Sequence, residues 1–311
     1  MFKFKVYLSF WRIGMSSVLR KLFYNHCWGI GWRFIEPEER LPIGDTIVKY
    51  QNIIPPYNCY YADPFCITTE EGKTYLFVEY MKRARGIGSI AVSELINGKF
   101  GSFKECIKEP FHMSYPNVFI YENEYYMIPE TNAANQLILY KATSFPYNWE
   151  KDTILAENVK WVDSSFYIED GMFYLFVYSI ETKKSFYYQI DMKSKSLLPL
   201  DETKYCIVDE RPAGNAFTVG KQTYRAVQDC KNTYGERVYI YMKDEDTDKL
   251  YCETKIGSVE TKNIELTPKL SHITKTHTFN RTNNIEVVDY LYNRFYITKP
   301  LQKIISALKR G

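Results

Sequence analysis

The chain has no uninterrupted stretch of about 18 apolar residues, so no helix able to cross a bilayer is expected. Its seven cysteines are odd in number and contain no Cys-x-x-Cys pair. That spacing excludes a disulfide framework and a zinc knuckle, and it points to a reducing compartment. The four histidines (His26, His112, His272 and His277) are scattered without metal-ligand spacing, and neither a metal nor a cofactor is expected. Gly86-Ile87-Gly88 lacks the third glycine of a dinucleotide fingerprint, and no lysine-bearing phosphate loop is present. The acidic run Asp244-Glu245-Asp246-Thr247-Asp248 has an Asp-x-Asp spacing, but between Lys243 and Lys249 it reads as a solvated turn. Lys3 and Lys5 open the chain, yet Arg12 interrupts the apolar run and no small-residue cleavage site follows. A cleavable signal peptide is therefore not expected, and the expected location is cytoplasmic.

Charge is unevenly distributed. Residues 1–35 carry six basic side chains and no acid, and residues 291–311 carry five and no acid. Because the whole chain is only +3, residues 36–290 hold a net −8. An acidic body between basic ends argues against nucleic acid as a partner and suits an anionic membrane surface. Both ends also read as short amphipathic helices: Phe4, Leu8, Trp11, Met15, Val18 and Leu22 form one stripe, and Leu301, Ile304, Ile305 and Leu308 follow Pro300. They would either dock on the folded body or lie in the face of a membrane, making the protein peripheral on its inner surface.

What the chain has in abundance is aromatic residues, 28 Tyr and 19 Phe, and a phrase repeated about every fifty residues. Tyr75-Leu76-Phe77-Val78-Glu79, Tyr126-Met127-Ile128-Pro129-Glu130, Tyr174-Leu175-Phe176-Val177-Tyr178 and Tyr224-Arg225-Ala226-Val227-Gln228-Asp229 are its four copies. Each is preceded by a strand candidate and a turn: Tyr61 to Phe65, Ser114 to Phe119, Val162 to Tyr167 and Pro212 to Phe217 supply the first strands. Two further strand candidates follow each pair, and four strands with this period make a propeller blade. A fifth, degenerate unit begins at His277-Thr278-Phe279-Asn280 and continues over Ile285 to Ile297. The expected fold is an all-β five-bladed β-propeller over 55–298. A basic segment and lead-in strand (1–54) precede it, and a basic amphipathic helix (299–311) follows.

Inner strands of a propeller converge on one axis, so polar residues in register on them face one pocket. Asp63, Asp163 and Glu210 fit that description, and three carboxylates around a pocket suit glycoside chemistry. The bland alternative is that each caps a turn. Glu79, Tyr115, Glu130, Gln228 and Asp229 are candidate substrate contacts or rim hydrogen-bonding groups. Arg211 and Arg225 could grip phosphate or carboxylate, or neutralise the adjacent acids. His277 and Asn280 could bind sugar or serve the fold.

Tyr61-Ala62-Asp63-Pro64 and Val162-Asp163, with Glu210 ahead of Pro212-Ala213-Gly214, resemble the inner-strand motifs of five-bladed arabinanase and xylosidase glycosidases. The resemblance implies a general base at Asp63, a pKa-modulating Asp163 and a general acid at Glu210. A closer likeness spans about 200 residues: Tyr61 to Phe65, His112 to Pro116, Met127 to Thr131, Leu139 to Ala142 with Phe145-Pro146 and Trp149, Arg211 to Gly214, and Tyr224 to Asp229 with Tyr234-Gly235. Together these resemble the N-terminal propeller domain of plant glucosamine inositolphosphorylceramide transferases and its stand-alone bacterial relatives associated with surface polysaccharides. The function implied is a glycosyltransferase of cell-surface polysaccharide biosynthesis, taking a sugar donor and a membrane-associated glycan acceptor. A propeller glycoside hydrolase and a non-catalytic glycan-binding module are the alternatives.

Overall fold

The computed structural model describes residues 23–270 and 272–296. The expected terminal helices, Phe4 to Leu22 and Leu301 to Leu308, lie outside them. Five antiparallel-based sheets are arranged as the blades of an all-β propeller. Blade 1 runs Cys59–Thr68, Thr74–Lys82, Gly88–Ile96 and Lys104–Ile107 from the axis outward, with Lys99–Phe100 on its edge. Blade 2 is Ser114–Tyr121, Glu124–Glu130, Gln136–Ser144 and Asn148–Glu157, and blade 3 is Trp161–Glu169, Met172–Ser179, Lys184–Asp191 and Ser196–Pro199. Blade 4 is Phe217–Val219, Gln222–Asp229, Arg237–Lys243 and Tyr251–Val259, edged in parallel by Tyr205–Cys206.

Blade 5 corrects the expected boundary at residue 55. Its inner strand is split into Ile273–Lys275 and Phe279–Arg281, both on Ile285–Phe295, and that strand pairs over its full length with Tyr24–Phe34. Val48–Ile53 follows, then Ile264–Thr267 in parallel. The residues set aside as a lead-in thus complete the last blade. The gain is physical: pairing the first described strand with the last closes the ring by backbone hydrogen bonds.

The aromatic surplus fills the seams between blades. Phe77, Tyr115 and Tyr140 lie between blades 1 and 2; Phe119, Phe166 and Phe173 between 2 and 3; Phe176, Tyr187 and Tyr251 between 3 and 4. Phe217, Phe279 and Tyr290 join 4 to 5, and Trp32, Tyr61 and Val287 join 5 to 1. Each fully buried aromatic contributes roughly 1.5–3 kcal/mol. Radial sheets packed face to face through such seams need large flat side chains, and the composition supplies them.

At the axis the inner strands share one irregularity. The ladder slips between Ala62 and Phe65, between Ser114 and Asn117, and between Val162 and Ser165. Inside those bulges Asp63, Tyr115 and Asp163 take left-handed backbone at φ 50°, 49° and 51°. Such non-glycine conformations cost about 1–3 kcal/mol each. In blade 4 the equivalent position, counted back from the Phe217–Tyr224 pair, is Ala213, and the positive φ falls on the next residue, Gly214, at 146°, where an added Cβ would lie 2.1 Å from the Phe279 carbonyl oxygen. Blade 4 accordingly has only an isolated bridge, Pro212 to Val227, before its inner strand starts at Phe217.

Below the bulges, asparagines knit the axis. Asn117 donates to the Ser164 carbonyl at 2.9 Å and exchanges hydrogen bonds with Asn215 at 2.8 Å in both directions. Asn215 also accepts from the Phe166 N–H at 2.7 Å, and its own N–H donates to Asn280 at 2.9 Å. Asn280 then donates to the Pro64 carbonyl at 2.9 Å, which links blade 5 to blade 1. A fully satisfied polar layer of this kind fixes the angle between blades as no apolar packing would.

Candidate functional site

Above the asparagine layer the bulges open into an axial cavity of about 270 Å³, just under the low end of small-molecule pockets at about 300 Å³. Asp63 and Glu79 of blade 1, Ser114 and Glu130 of blade 2, Asp163 of blade 3, Arg211 before blade 4, and Trp28 and His277 of blade 5 line it. Tyr60, Ala62, His112 and Tyr234 complete the wall.

The bulge aims the aspartates. At Asp63 the carboxylate turns toward blade 5, where Oδ1 lies 3.2 Å from His277 Nε2 and accepts from the Thr278 hydroxyl at 3.0 Å. Oδ2 accepts from the Tyr115 N–H at 3.2 Å, and Asp63 lines the cavity. His277 Nδ1 lies 2.7 Å from Asp289 Oδ2, and Asp289 Oδ1 accepts the His277 and Thr278 backbone N–H groups at 2.9 and 3.0 Å. All three side chains are buried. Burial by itself would lower the His277 pKa, but the Asp289 charge, reinforced by Asp63, raises it well above the ordinary value. Burial would likewise raise Asp63, and its bond and charge pairing with His277 outweigh that and hold it low. An imidazolium therefore sits between two carboxylates. Although Asp63, His277 and Asp289 bring ligand atoms within 4.8 Å of one another, a cation would have to displace the proton on the ring nitrogen that bound it.

Asp163 is paired differently. Its Oδ2 accepts from Arg211 Nε at 2.5 Å and from Gln228 Nε2 at 2.9 Å. Arg211 Nη2 also stands 3.5 Å from Glu130 Oε2, and its guanidinium lies 5.1 Å from the Tyr234 ring centre.

The glutamates contrast with the aspartates. Glu130 Oε1 accepts from Asn132 at 2.6 Å, while its buried Oε2 has no hydrogen-bond partner. Burial, then the Asp163 charge, pushes its pKa up to about 8 against the partial relief of Arg211. Glu79 is raised well above the usual carboxylate range by burial and by Asp63, with Tyr60 donating to it at 3.3 Å. His112 Nε2 lies 3.4 Å from Glu79 Oε1, but burial holds this imidazole below its ordinary pKa, so it offers little countercharge.

Aromatic rings form the rest of the wall. Trp28 lies 4.2 Å from the His277 ring centre at 41°, and Tyr234 meets the same ring edge-on at 5.3 Å. Gly235, at φ 61°, permits that approach, since an added Cβ would fall 2.6 Å from His277 Cβ.

The sequence-derived candidates thus divide. Asp63, Asp163, Glu79, Glu130, Arg211 and His277 meet at one cavity. Glu210 does not: it faces away, with Oε1 3.1 Å from the exposed Lys231, because the backbone turn at Glu210 sends only the next side chain inward. Arg225 is fully buried in the seam beside blade 3, paired with Glu253 through both Nε and Nη2 and stacked 4.7 Å over Phe176. Alternation along Gln222–Asp229 turns it into that seam, while Tyr224 and Ala226 face blade 5. Asp229 is held by Tyr239 at 2.6 Å and by Arg237 at 3.3 Å, outside the lining. Tyr115 is core, its hydroxyl 2.6 Å from Ser165, and Asn280 belongs to the asparagine layer. Gln228 touches the site indirectly, by orienting Asp163.

Asp289, Trp28, Tyr60, His112, Ser114 and Tyr234 were not among the candidates. For Asp289 a signal existed: Ile285-Glu286-Val287-Val288-Asp289 is a fifth copy of the repeated phrase, with its polar ending in place. Trp28 had none, because its strand joins a blade more than two hundred residues away.

Comparison with known proteins agrees with this architecture. Residues 42–287 match the family described as glucosamine inositolphosphorylceramide transferase 1, N-terminal. Glucosamine inositolphosphorylceramide transferase 1 of Oryza sativa subsp. indica is 32% identical over 209 residues, 63% of this chain and 28% of that protein. The Arabidopsis thaliana protein of that name is 31% identical over 210 residues, 63% of this chain and 27% of its own length. The chain thus spans under a third of these relatives. Among solved structures, the RS223 β-xylosidase superposes with a TM-score of 0.54 at 10% identity, covering 74% of this chain and 91% of that one. A xylose complex of an enzyme from Xanthomonas citri gives 0.50 at 10% identity, covering 75% and 86%. At that identity these two speak for the fold alone.

Proposed function

This chain belongs to the glucosamine inositolphosphorylceramide transferase N-terminal family, and on that premise we propose that its axial cavity binds a sugar and supports glycosyl transfer to a lipid-linked acceptor. One observation carries the reading: a single cavity holds Asp63, kept ionised by His277, and Glu130, kept protonated to about pH 8. Carboxyl groups whose pKa values are pushed apart are how an acid and a base coexist at one pH.

In the proposed step the acceptor oxygen attacks the anomeric carbon and gives its proton to Asp63 Oδ2. The bond from the anomeric carbon to the leaving oxygen breaks, its electron pair stays on that oxygen, and Glu130 supplies the proton. Glu130 is then left as a carboxylate facing Arg211, and Asp63 as an acid still bonded to His277; proton exchange resets both. Water in place of the acceptor would give hydrolysis. Arg211, anchored by Asp163, replaces the pair of arginines expected from the sequence, and Glu210 is not needed. Trp28 offers a flat apolar face for a sugar ring.

The acceptor class follows the family, whose name specifies glucosamine and inositolphosphorylceramide. A role in surface polysaccharide assembly at the inner face of a membrane is the finer form of the same proposal, supported by the two basic ends of the sequence. A sugar-binding module without chemistry is the second reading. It is favoured by the fact that Asp63 and Asp163 both already have cationic partners.

Mass spectrometry of glycolipids in membranes with and without the protein tests the proposal. A sugar added to a lipid-linked acceptor by the wild type, and lost in both Asp63→Asn and Glu130→Gln, is the expected result. Sugar binding that survives both substitutions, with no lipid altered, would establish the module instead.

A further inference from the structure

Away from the cavity, on the outer edge of blade 4, two cysteines face each other across a parallel ladder. Tyr205 pairs with Tyr251 and Cys206 with Cys252, and these two pairs are the whole of that ladder. Residues directly opposite on neighbouring strands point to the same side of the sheet, with strands roughly 4.7–4.9 Å apart. A disulfide needs Cα atoms about 4.4–6.8 Å apart, so the register itself sets this pair within reach. The short edge strand has little ladder to lose by adjusting.

The two sulfurs differ in setting. Cys206 is exposed and Cys252 buried. Lys249 Nζ stands 2.9 Å from Cys206 Sγ, and Thr247 Oγ1 lies 3.8 Å from Cys252 Sγ. The Lys249 contact lowers the Cys206 pKa, whereas burial raises that of Cys252. An accessible thiolate beside a second, shielded thiol is the arrangement of a redox-responsive pair.

We propose that Cys206 and Cys252 form a peroxide-sensitive dithiol, with Cys206 as the attacking sulfur and Cys252 as the resolving one. The Cys206 thiolate attacks one oxygen of a hydroperoxide; the O–O bond breaks, the other oxygen leaves as hydroxide or alkoxide, and Cys206 becomes a sulfenic acid. Cys252 sulfur then attacks Cys206 sulfur, the S–O bond breaks, and the departing hydroxyl takes the Cys252 proton to leave as water. The hydroperoxide is reduced by two electrons and the two thiols are oxidised by two. The bond would staple the edge strand to Tyr251–Val259 a short way ahead of Arg211, which enters the cavity.

The full-length reduced protein, treated with a small excess of hydrogen peroxide and mapped by peptide mass spectrometry, provides the test. A peptide joining Cys206 to Cys252 and lighter by two hydrogens is expected, with the other exposed cysteine, Cys230, left as thiol. Lys249→Met, a surface change, should slow the reaction several-fold. Cys252→Ser should stop it at a sulfenic acid trappable by dimedone. Oxidation of Cys206 no faster than Cys230, or a wild-type sulfenic acid that never resolves onto Cys252, overturns the proposal. None of these readouts depends on sugar chemistry in the cavity.

Discussion

The aspartates and the glutamates of the cavity solve the problem of buried acid in opposite ways. Asp63 and Asp163 are given cations, His277 and Arg211, so charge is kept and the carboxylates are pinned. Glu79 and Glu130 receive mainly neutral donors, Tyr60 and Asn132, and burial favours the protonated form. The difference teaches that register alone does not assign chemistry. Carboxyl groups on neighbouring blades of one repeat can be a fixed anion or a proton reservoir, depending on what the next blade presents.

The sharpest way to break the contrast is to remove a cation. His277→Ala leaves Asp63 and Asp289 buried without their partner, and a loss of about 3–5 kcal/mol in urea unfolding is expected. The pH dependence should change with it. Because the folded His277 pKa is raised, its contribution is complete below the ordinary value of 6.5 and is lost as pH rises through the folded value. The lowered Asp63 works the other way, contributing above its ordinary 3.8 and losing that as pH falls. A variant that keeps the wild-type alkaline slope would show that the imidazolium does not carry it.

For the glutamates the expected sign is reversed. Glu130 has a folded pKa above its ordinary 4.5, so it favours the fold most below 4.5, and that contribution disappears as pH rises through about 8. Glu130→Gln should flatten this decline and leave the variant more stable than wild type near pH 9, by about 1–3 kcal/mol. Equal destabilisation at pH 6 and pH 9 would mean that Glu130 is ionised throughout.

Smaller effects sharpen the boundary of the site. Gly235→Ala forces a Cβ against His277 at left-handed φ and should cost about 1–2 kcal/mol while weakening any sugar binding through Tyr234. Glu210→Gln, which removes the ion pair with exposed Lys231, should stay within about 0.5 kcal/mol of wild type. It should also leave activity unchanged; a large loss of activity would return Glu210 to the site.

The blade is legible in the order of residues alone. A phrase ending in a polar residue recurs at Glu79, Glu130, Tyr178 and Gln228, and the structure adds Asp289 at the same place. Continuously buried inner strands and aromatic seams follow from local pattern, so strands, turns and blade number could be read directly, as could Asp63 and Asp163 at the axis. Tertiary structure decided what each polar ending faces. Glu210 and Arg211 are neighbours in sequence, yet a turn sends one to solvent-facing Lys231 and the other into the cavity. Trp28 reaches His277 only because the first described strand closes the last blade, a contact between residues nearly 250 positions apart. Repetition is a local property that a chain can write in its own order. Pairing a buried charge depends on which blade comes next around the ring, and that is fixed only when the ring closes.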